Sequence, residues 1–199
     1  LREEWWPIVN NTGKIIGSIQ HQLSLFDDKK YMHPIVRVMV IDENRLYLQK
    51  RSYNDIIFPG MWDTAISNHI RLNENPEACV MRTAKERYGI ESIKPIFLSN
   101  YIHETEHEFH YVFFYVACYS HSIVPNKNFI DIGKWWTRHQ IESNIKDKIF
   151  TENFNNEFEI ITRSGLLEPG VCNCDCRLKQ TIQDGILRLS KLDYSKARK

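Results

Sequence analysis

The residues of this chain best suited to chemistry fall in two short stretches. In the first, Arg82 and Glu86 stand one helical turn apart, in a run that also holds Thr83 and Arg87. At i, i+3 and i+4, Thr83, Glu86 and Arg87 share one face of a helix. Glu86 reads as a metal ligand or general base, and equally as a surface ion-pair partner for Arg82. Arg87 offers a guanidinium that can bind a phosphate directly. Glu74, just ahead of Asn75 and Pro76, reads as an acid favoured by the helix dipole. The second stretch is His103-Glu-Thr-Glu-His-Glu-Phe-His110. Read as a strand, it puts Glu104, Glu106, Glu108 and His110 on one face. Such a row of carboxylates is costly unless it is exposed or neutralised by a cation. Cys172, Cys174 and Cys176 lack the C-x2-C pairing of common zinc sites, so reduced thiols in a surface loop are favoured over a soft-metal site.

These residues need elements to hold them. Asn75 is a good N-cap, Pro76 suits the first helical position and Gly89 suits the C-terminal cap. Between them Ala78, Met81, Ala84 and Tyr88 recur at helical spacing as a core stripe. Upstream, residues 5–9 and 14–19 flank Asn10-Asn11-Thr12-Gly13 as a hairpin. Residues 35–41 are apolar on both faces and read as a central strand. Further strands are expected at 46–51, 92–102, 108–119 and 133–136, and helices at 138–145 and 152–162. Strands and helices therefore mix without the regular alternation of a doubly wound fold. Residues 1–162 read as one domain. Residues 163–199 read as an extension with a cysteine-rich loop and a helix striped by Leu178, Ile182, Ile186, Leu189 and Leu192.

The stretch from Phe58 to Ile90 resembles the Nudix hydrolase family, whose box runs G-x5-E-x7-R-E-U-x-E-E-x-G-U, with U aliphatic. Registered on Gly89 and Ile90, the positions Glu74, Arg82, Glu86 and Gly89 match, whereas Asn68, Thr83 and Arg87 depart from it. The Arg51-Ser52 segment, Pro59-Gly60-Met61-Trp62-Asp63 and Ser67-Asn68-His69 look like a subgroup related to type I isopentenyl diphosphate isomerase. The resemblance covers residues 3–160 and implies an α/β/α sandwich, an α/β fold with a mixed β-sheet between helices.

In that family, the glutamates whose places Thr83 and Arg87 take hold Mg2+ or Mn2+ against a diphosphate. The resemblance therefore implies Mg2+ or Mn2+ at a weakened site, with Glu74 and Glu86 as ligands. Glu86 is also the candidate catalytic residue and Arg82 its support, while Arg51 and Arg87 are candidate substrate contacts. By likeness to the isomerases, His33, His69, Glu106 and Glu108 form an alternative set of nitrogen and oxygen ligands. The bland reading is that the glutamates are exposed, His33 caps a loop and His69 bonds backbone. The isomerases' catalytic cysteine is replaced by Ser67, whose hydroxyl has far too high a pKa to act as a thiol. Trp62 and Asp63 read as packing and loop-fixing residues. Three readings follow: a metal-dependent Nudix-type hydrolase of a nucleoside-diphosphate-linked or other diphosphate substrate; a catalytically weakened module binding a diphosphate or a protein partner; and an isomerase-like enzyme.

Composition sets the outer limits. With 199 residues, 42% of them hydrophobic and 26% charged, the chain can bury one core with an appendage. A formal net charge of +1 gives no electrostatic case for nucleic acid or membrane binding. The chain has no apolar run long enough for a membrane helix, and its five cysteines do not resemble a secreted disulfide framework. It reads as cytoplasmic, with a small-molecule diphosphate as partner. The aromatic N-terminal hairpin and the tail helix are plausible homodimer surfaces.

Overall fold

The computed structural model describes residues 4–24 and 30–168, together with Asp184. The chain opens with a two-stranded antiparallel ribbon, β1 (Trp5–Val9) and β2 (Ile15–Gln20), followed by the four-residue α1 (His21–Ser24). Asn10 builds the ribbon's turn, because its Oδ1 accepts from the Thr12 and Lys14 amides, each at 3.0 Å. Gly13 has a φ of 77°, and a Cβ there would lie 2.7 Å from the Tyr111 ring, so the turn needs glycine.

The main sheet contains β3 (His33–Asp42), β4 (Arg45–Lys50), β5 (Trp62–Thr64), β6 (Ile66–His69), β7 (Ile96–Glu104), β8 (Phe109–Cys118) and β9 (Ile132–Thr137). Its main order is β5-β4-β3-β8-β7, with β6 pairing β3 and β9 pairing β4. The pair β3–β8 is parallel, from His33↔His110 to Ile41↔Cys118, and the other pairs are antiparallel. The sheet is therefore mixed, as expected.

Because β3 is central, both of its faces are buried. Val36, Val38 and Val40 pack with α2 (Pro76–Tyr88) through Val80, Ala84 and Tyr88. Ile35, Met39 and Ile41 join the opposite cluster, which includes Ile141 of α3 (Arg138–Asn144) and Phe154, Phe158 and Ile161 of α4 (Glu152–Arg163). A sheet between α2 on one side and α3 and α4 on the other is an α/β/α sandwich. Leu166 and Leu167 lie in the same core, so packing continues past the expected boundary at 162. The cysteine cluster and tail helix expected beyond it lie outside the described residues. None of the described helices is long and apolar enough to cross a membrane.

Two local expectations are corrected. The core side of α2 is Cys79, Val80, Thr83, Ala84 and Tyr88, while Ala78 is exposed and Met81 half-buried. Thr83 therefore does not share an open face with Glu86 and Arg87. Its hydroxyl donates to Cys79 O at 2.8 Å and accepts from Asn68 Nδ2 at 3.1 Å, which lets it pack as an apolar residue would. Residues 103–110 are not one strand but the β7–β8 hairpin. Thr105 makes the turn: its amide donates to Glu108 O at 2.8 Å, and its Oγ1 accepts from the His107 and Glu108 amides. Glu106 stands exposed at the tip, so the expected row of three carboxylates on one face does not form.

Candidate functional site

The sequence positions α2 by local capping. Asn75 Oδ1 accepts from the Ala78 amide at 2.8 Å, and Gly89 closes the helix with φ 65° while its amide donates to Lys85 O. The loop before the helix is held by Arg82. Its Nε and Nη2 donate to the two oxygens of Glu74 at 2.7 and 2.8 Å, and Nη2 also donates to His69 O at 3.1 Å. Burial alone would raise the Glu74 pKa, but these bonds hold the carboxyl below its ordinary range. Glu86 makes only a 3.4 Å contact with Arg82 Nη1, and its side chain is 41% exposed.

Arg87, in the last turn of α2, is half-buried. Its guanidinium makes no hydrogen bond or ion pair among the described residues. Burial lowers its pKa, and Arg51 lowers it further, while Asp63 opposes the shift; these groups thus lie within electrostatic reach of one another. Arg51 is oriented from three sides. Nε donates to Ile57 O at 3.0 Å, Nη2 lies 3.2 Å from Asp55, and Nη1 lies 3.7 Å from Asp63.

Asp63 belongs to a buried ionic network. Arg37 Nη2 donates to its Oδ1 at 2.6 Å, and Thr151 Oγ1 donates to the same atom at 2.9 Å. The Arg37 Nε and Nη2 also donate to Glu157 at 2.5 and 3.1 Å, and the Tyr101 hydroxyl donates to Glu157 Oε1 at 2.6 Å. Arg37 Nη1 reaches Ser67 Oγ at 3.3 Å. Burial pushes both carboxyls up. The Arg37 charge reverses this at Asp63, aided by Arg51, but only partly offsets it at Glu157. Asp63 is thus a charged anchor for Arg51 as well as a loop-fixing residue.

The histidines gather at one end of the same sheet face. Directly paired residues point to the same side, and the pairs here are Arg37↔Ser67, Ile35↔His69, His33↔His110 and His103↔His110. His33 Nδ1 sits 2.9 Å from Pro7 O, and Trp6 stacks on His69 with ring centroids 3.7 Å apart. Burial holds His69 well below its ordinary pKa and takes His110 down to about 4. Glu108 lies beside His103 at 3.7 Å, whereas Glu106 points to solvent with a side chain 88% exposed. Of the expected set, His33 and His69 meet, with ring centroids 6.0 Å apart, and Glu106 stands away from them.

The residues present do not fit a carboxylate-held Mg2+ or Mn2+. Such ions take several oxygen ligands. Here Thr83 is turned into the core, Arg87 is a cation, and both oxygens of Glu74 are engaged by Arg82. Among the described residues, no three His, Cys, Asp or Glu side chains are arranged to hold a metal ion.

Sequence reasoning missed Arg37, Tyr101, His103, Glu157 and Trp6 as site residues. A lone arginine in the apolar run 35–41 was the available signal for the first.

Comparison with known proteins adds four findings. Residues 32–156 match the family model described as NUDIX domain. The chain is 27% identical over 157 residues to an isopentenyl-diphosphate Delta-isomerase of Aliivibrio fischeri, covering 72% of this chain and 85% of that protein. It is 31% identical over 90 residues to a prenyl-diphosphate phosphatase of Methanosarcina mazei, covering 44% of this chain and 52% of that one. In fold it is similar to the crystal structure of DR0079 from Deinococcus radiodurans, with a TM-score of 0.64 at 19% identity, over 80% of this chain and 98% of that chain.

Proposed function

Because the chain belongs to the Nudix hydrolase family, we propose that it binds a small molecule bearing a diphosphate, with the Arg87 and Arg51 guanidiniums as the anion contacts. The observation that carries this reading is the Arg87 guanidinium, half-buried on the box helix, beside a second arginine and without a partner among the described residues. Arg87 is desolvated and repelled by Arg51, and an anion beside it would relieve its charge. Guanidinium forks match phosphate oxygens in geometry and charge. Arg87 thus stands, as a fixed cation, where the family's resemblance puts a metal-binding carboxylate.

Other residues support these two. Asp63 and Asp55 orient Arg51. Arg82 ties Glu74 to His69 O and so fixes the loop entering α2. In this reading Arg82 and Glu74 position the site, and neither touches the ligand. The two sequence relatives are named for organic diphosphates, which supports the ligand class and leaves open the organic group.

Hydrolysis is a second reading, favoured by Glu86. Its carboxylate is the least engaged of the matching box acids and faces water. It would serve as a general base, with any divalent ion held by donors outside the family's standard set. The isomerase reading is weaker, because Ser67 Oγ accepts a single 3.3 Å bond from Arg37 Nη1 and cannot replace a thiol as proton carrier.

Titration calorimetry with inorganic pyrophosphate tests the binding reading. Wild type is expected to bind in the presence of a chelator. Arg87→Ala should bind about tenfold or more weakly, the loss of roughly 1.4 kcal/mol or more expected for a charge-assisted contact. Equal affinity in the variant would remove Arg87 from the site. Phosphate release by wild type beside Glu86→Gln decides the hydrolysis reading.

A further inference from the structure

Below the N-terminal ribbon, four polar atoms are buried without a hydrogen-bond partner among the described residues: His69 Nδ1, His110 Nδ1, His103 Nε2 and Glu108 Oε2. His103 Nε2 and Glu108 Oε2 face each other at 3.7 Å, too far for a hydrogen bond. These groups share the sheet face with the Arg37–Ser67 rung, and Arg87 is among the charges that act on His69. The histidine pocket and the arginine site therefore lie within electrostatic reach of each other.

Trp6 covers that pocket. Its ring stacks on His69 at 3.7 Å and 19°, stacks on His21 at 4.1 Å and 27°, and meets the edge of His33 at 5.4 Å. The indole N–H points back to Glu4 at 3.4 Å, so Trp6 gives none of the four buried atoms a partner. Half-buried itself, it lies over polar groups that it does not satisfy, so apolar core packing does not account for its place.

The ribbon carrying Trp6 is built to move as a unit. It forms its own two-stranded sheet and makes no ladder with the main one. Its polar ties are few: Val9 N donates to Met32 O, Leu72 N donates to Trp5 O, His33 Nδ1 meets Pro7 O, and Arg71 pairs with Glu4 at the surface, while its apolar tie is Val9, buried in a small cluster with Met32 and Tyr111. A two-stranded ribbon held by a few polar ties and one small apolar cluster opens more easily than the central strands beneath it.

We propose that the β1–β2 ribbon is a lid over the candidate site, that Trp6 is its latch on His69, and that the arrangement described is the closed form. A diphosphate compound seated on Arg87 and Arg51 displaces the indole, and its polar groups take up the histidine and glutamate atoms beneath. The ligand's part in this rests on the binding reading above; the lid itself does not.

Two measurements on the full chain separate the two ideas. Diethyl pyrocarbonate labelling followed by peptide mapping reads the exposure of His69 against the open His107, with no ligand present. In wild type, His69 should label at least about tenfold more slowly than His107, and Trp6→Ala should remove most of that difference. Trp6→Leu, which keeps apolar bulk, is the second variant should alanine prevent folding, and it should give an intermediate rate. A wild-type His69 as reactive as His107, or one unchanged in both variants, would overturn the lid. Stopped-flow binding of inorganic pyrophosphate is the second measurement. Faster association in the Trp6 variants supports the latch, whereas weaker binding with unchanged association makes Trp6 part of the ligand's seat and overturns it. Absence of pyrophosphate binding in all three folded proteins would overturn the binding reading and the ligand's role, while the labelling result still decides the lid.

Discussion

At the scale of single residues, three arginines in similar environments have different partners. Arg37 is fully enclosed by Asp63 and Glu157, Arg82 grips Glu74 with two bonds, and Arg87 has neither arrangement. The contrast is what favours Arg87 as the ligand contact in the proposed reading and Arg82 as a strut. Arg82→Ala should therefore act on stability. It leaves the Glu74 carboxylate, 13% exposed, without its charged partner, and a loss of about 2 kcal/mol is expected from bonds of this kind. Urea denaturation reads this directly. An unchanged midpoint would mean that the loop is held by other contacts. Glu74 and Arg82 were both legible from their box positions, but their mutual engagement was not. Spacing of eight residues across a loop does not reveal that the two side chains meet.

At the scale of elements, signals that act over one turn read well and those that depend on packing read less well. Asn75, Pro76 and Gly89 bounded α2 correctly because capping needs only the nearest amides and carbonyls. The buried face of that helix was read differently because Thr83 is chemically polar yet fully satisfied in the core by Cys79 and Asn68. The turn at Thr105 escaped notice because its signal is a threonine hydroxyl, with neither glycine nor proline in the stretch 103–110. Gly89 gives a clean test of the capping account. At φ 65° a Cβ would meet nothing within 4 Å, so Gly89→Ala is opposed only by its left-handed backbone. Thermal melting should show a loss of about 1 kcal/mol with the fold intact. A neutral substitution would show that the helix end relaxes.

At the scale of the whole molecule, the site is assembled by strands far apart in the chain. Arg37 reaches Asp63 across 26 residues and Glu157 across 120, which is why the network was hidden although the arginine within an apolar run was visible. The sandwich itself was legible through the family resemblance, while the central strand and both long helices left their own patterns in the sequence. The buried histidines also set how the molecule responds to acid. Burial takes the His110 pKa from its ordinary 6.5 to about 4, so the unfolded chain takes up the proton first. The stability this neutral imidazole confers is complete above pH 6.5 and is lost as the pH falls toward 4. For His110 alone the loss is about 2 kcal/mol by pH 5, and His69 and His33 shift in the same direction. The melting temperature should fall between pH 7 and pH 5, and His110→Gln should flatten that fall; a profile unchanged by the substitution would contradict the assignment. The central claim, that fixed arginines recognise the diphosphate, is tested most directly by one calorimetric comparison. Inorganic pyrophosphate would be titrated into the wild-type chain once with excess chelator and once with Mg2+. Comparable affinity in the two titrations is the expected result. Binding that appears only with Mg2+ would contradict it and return recognition to a metal ion.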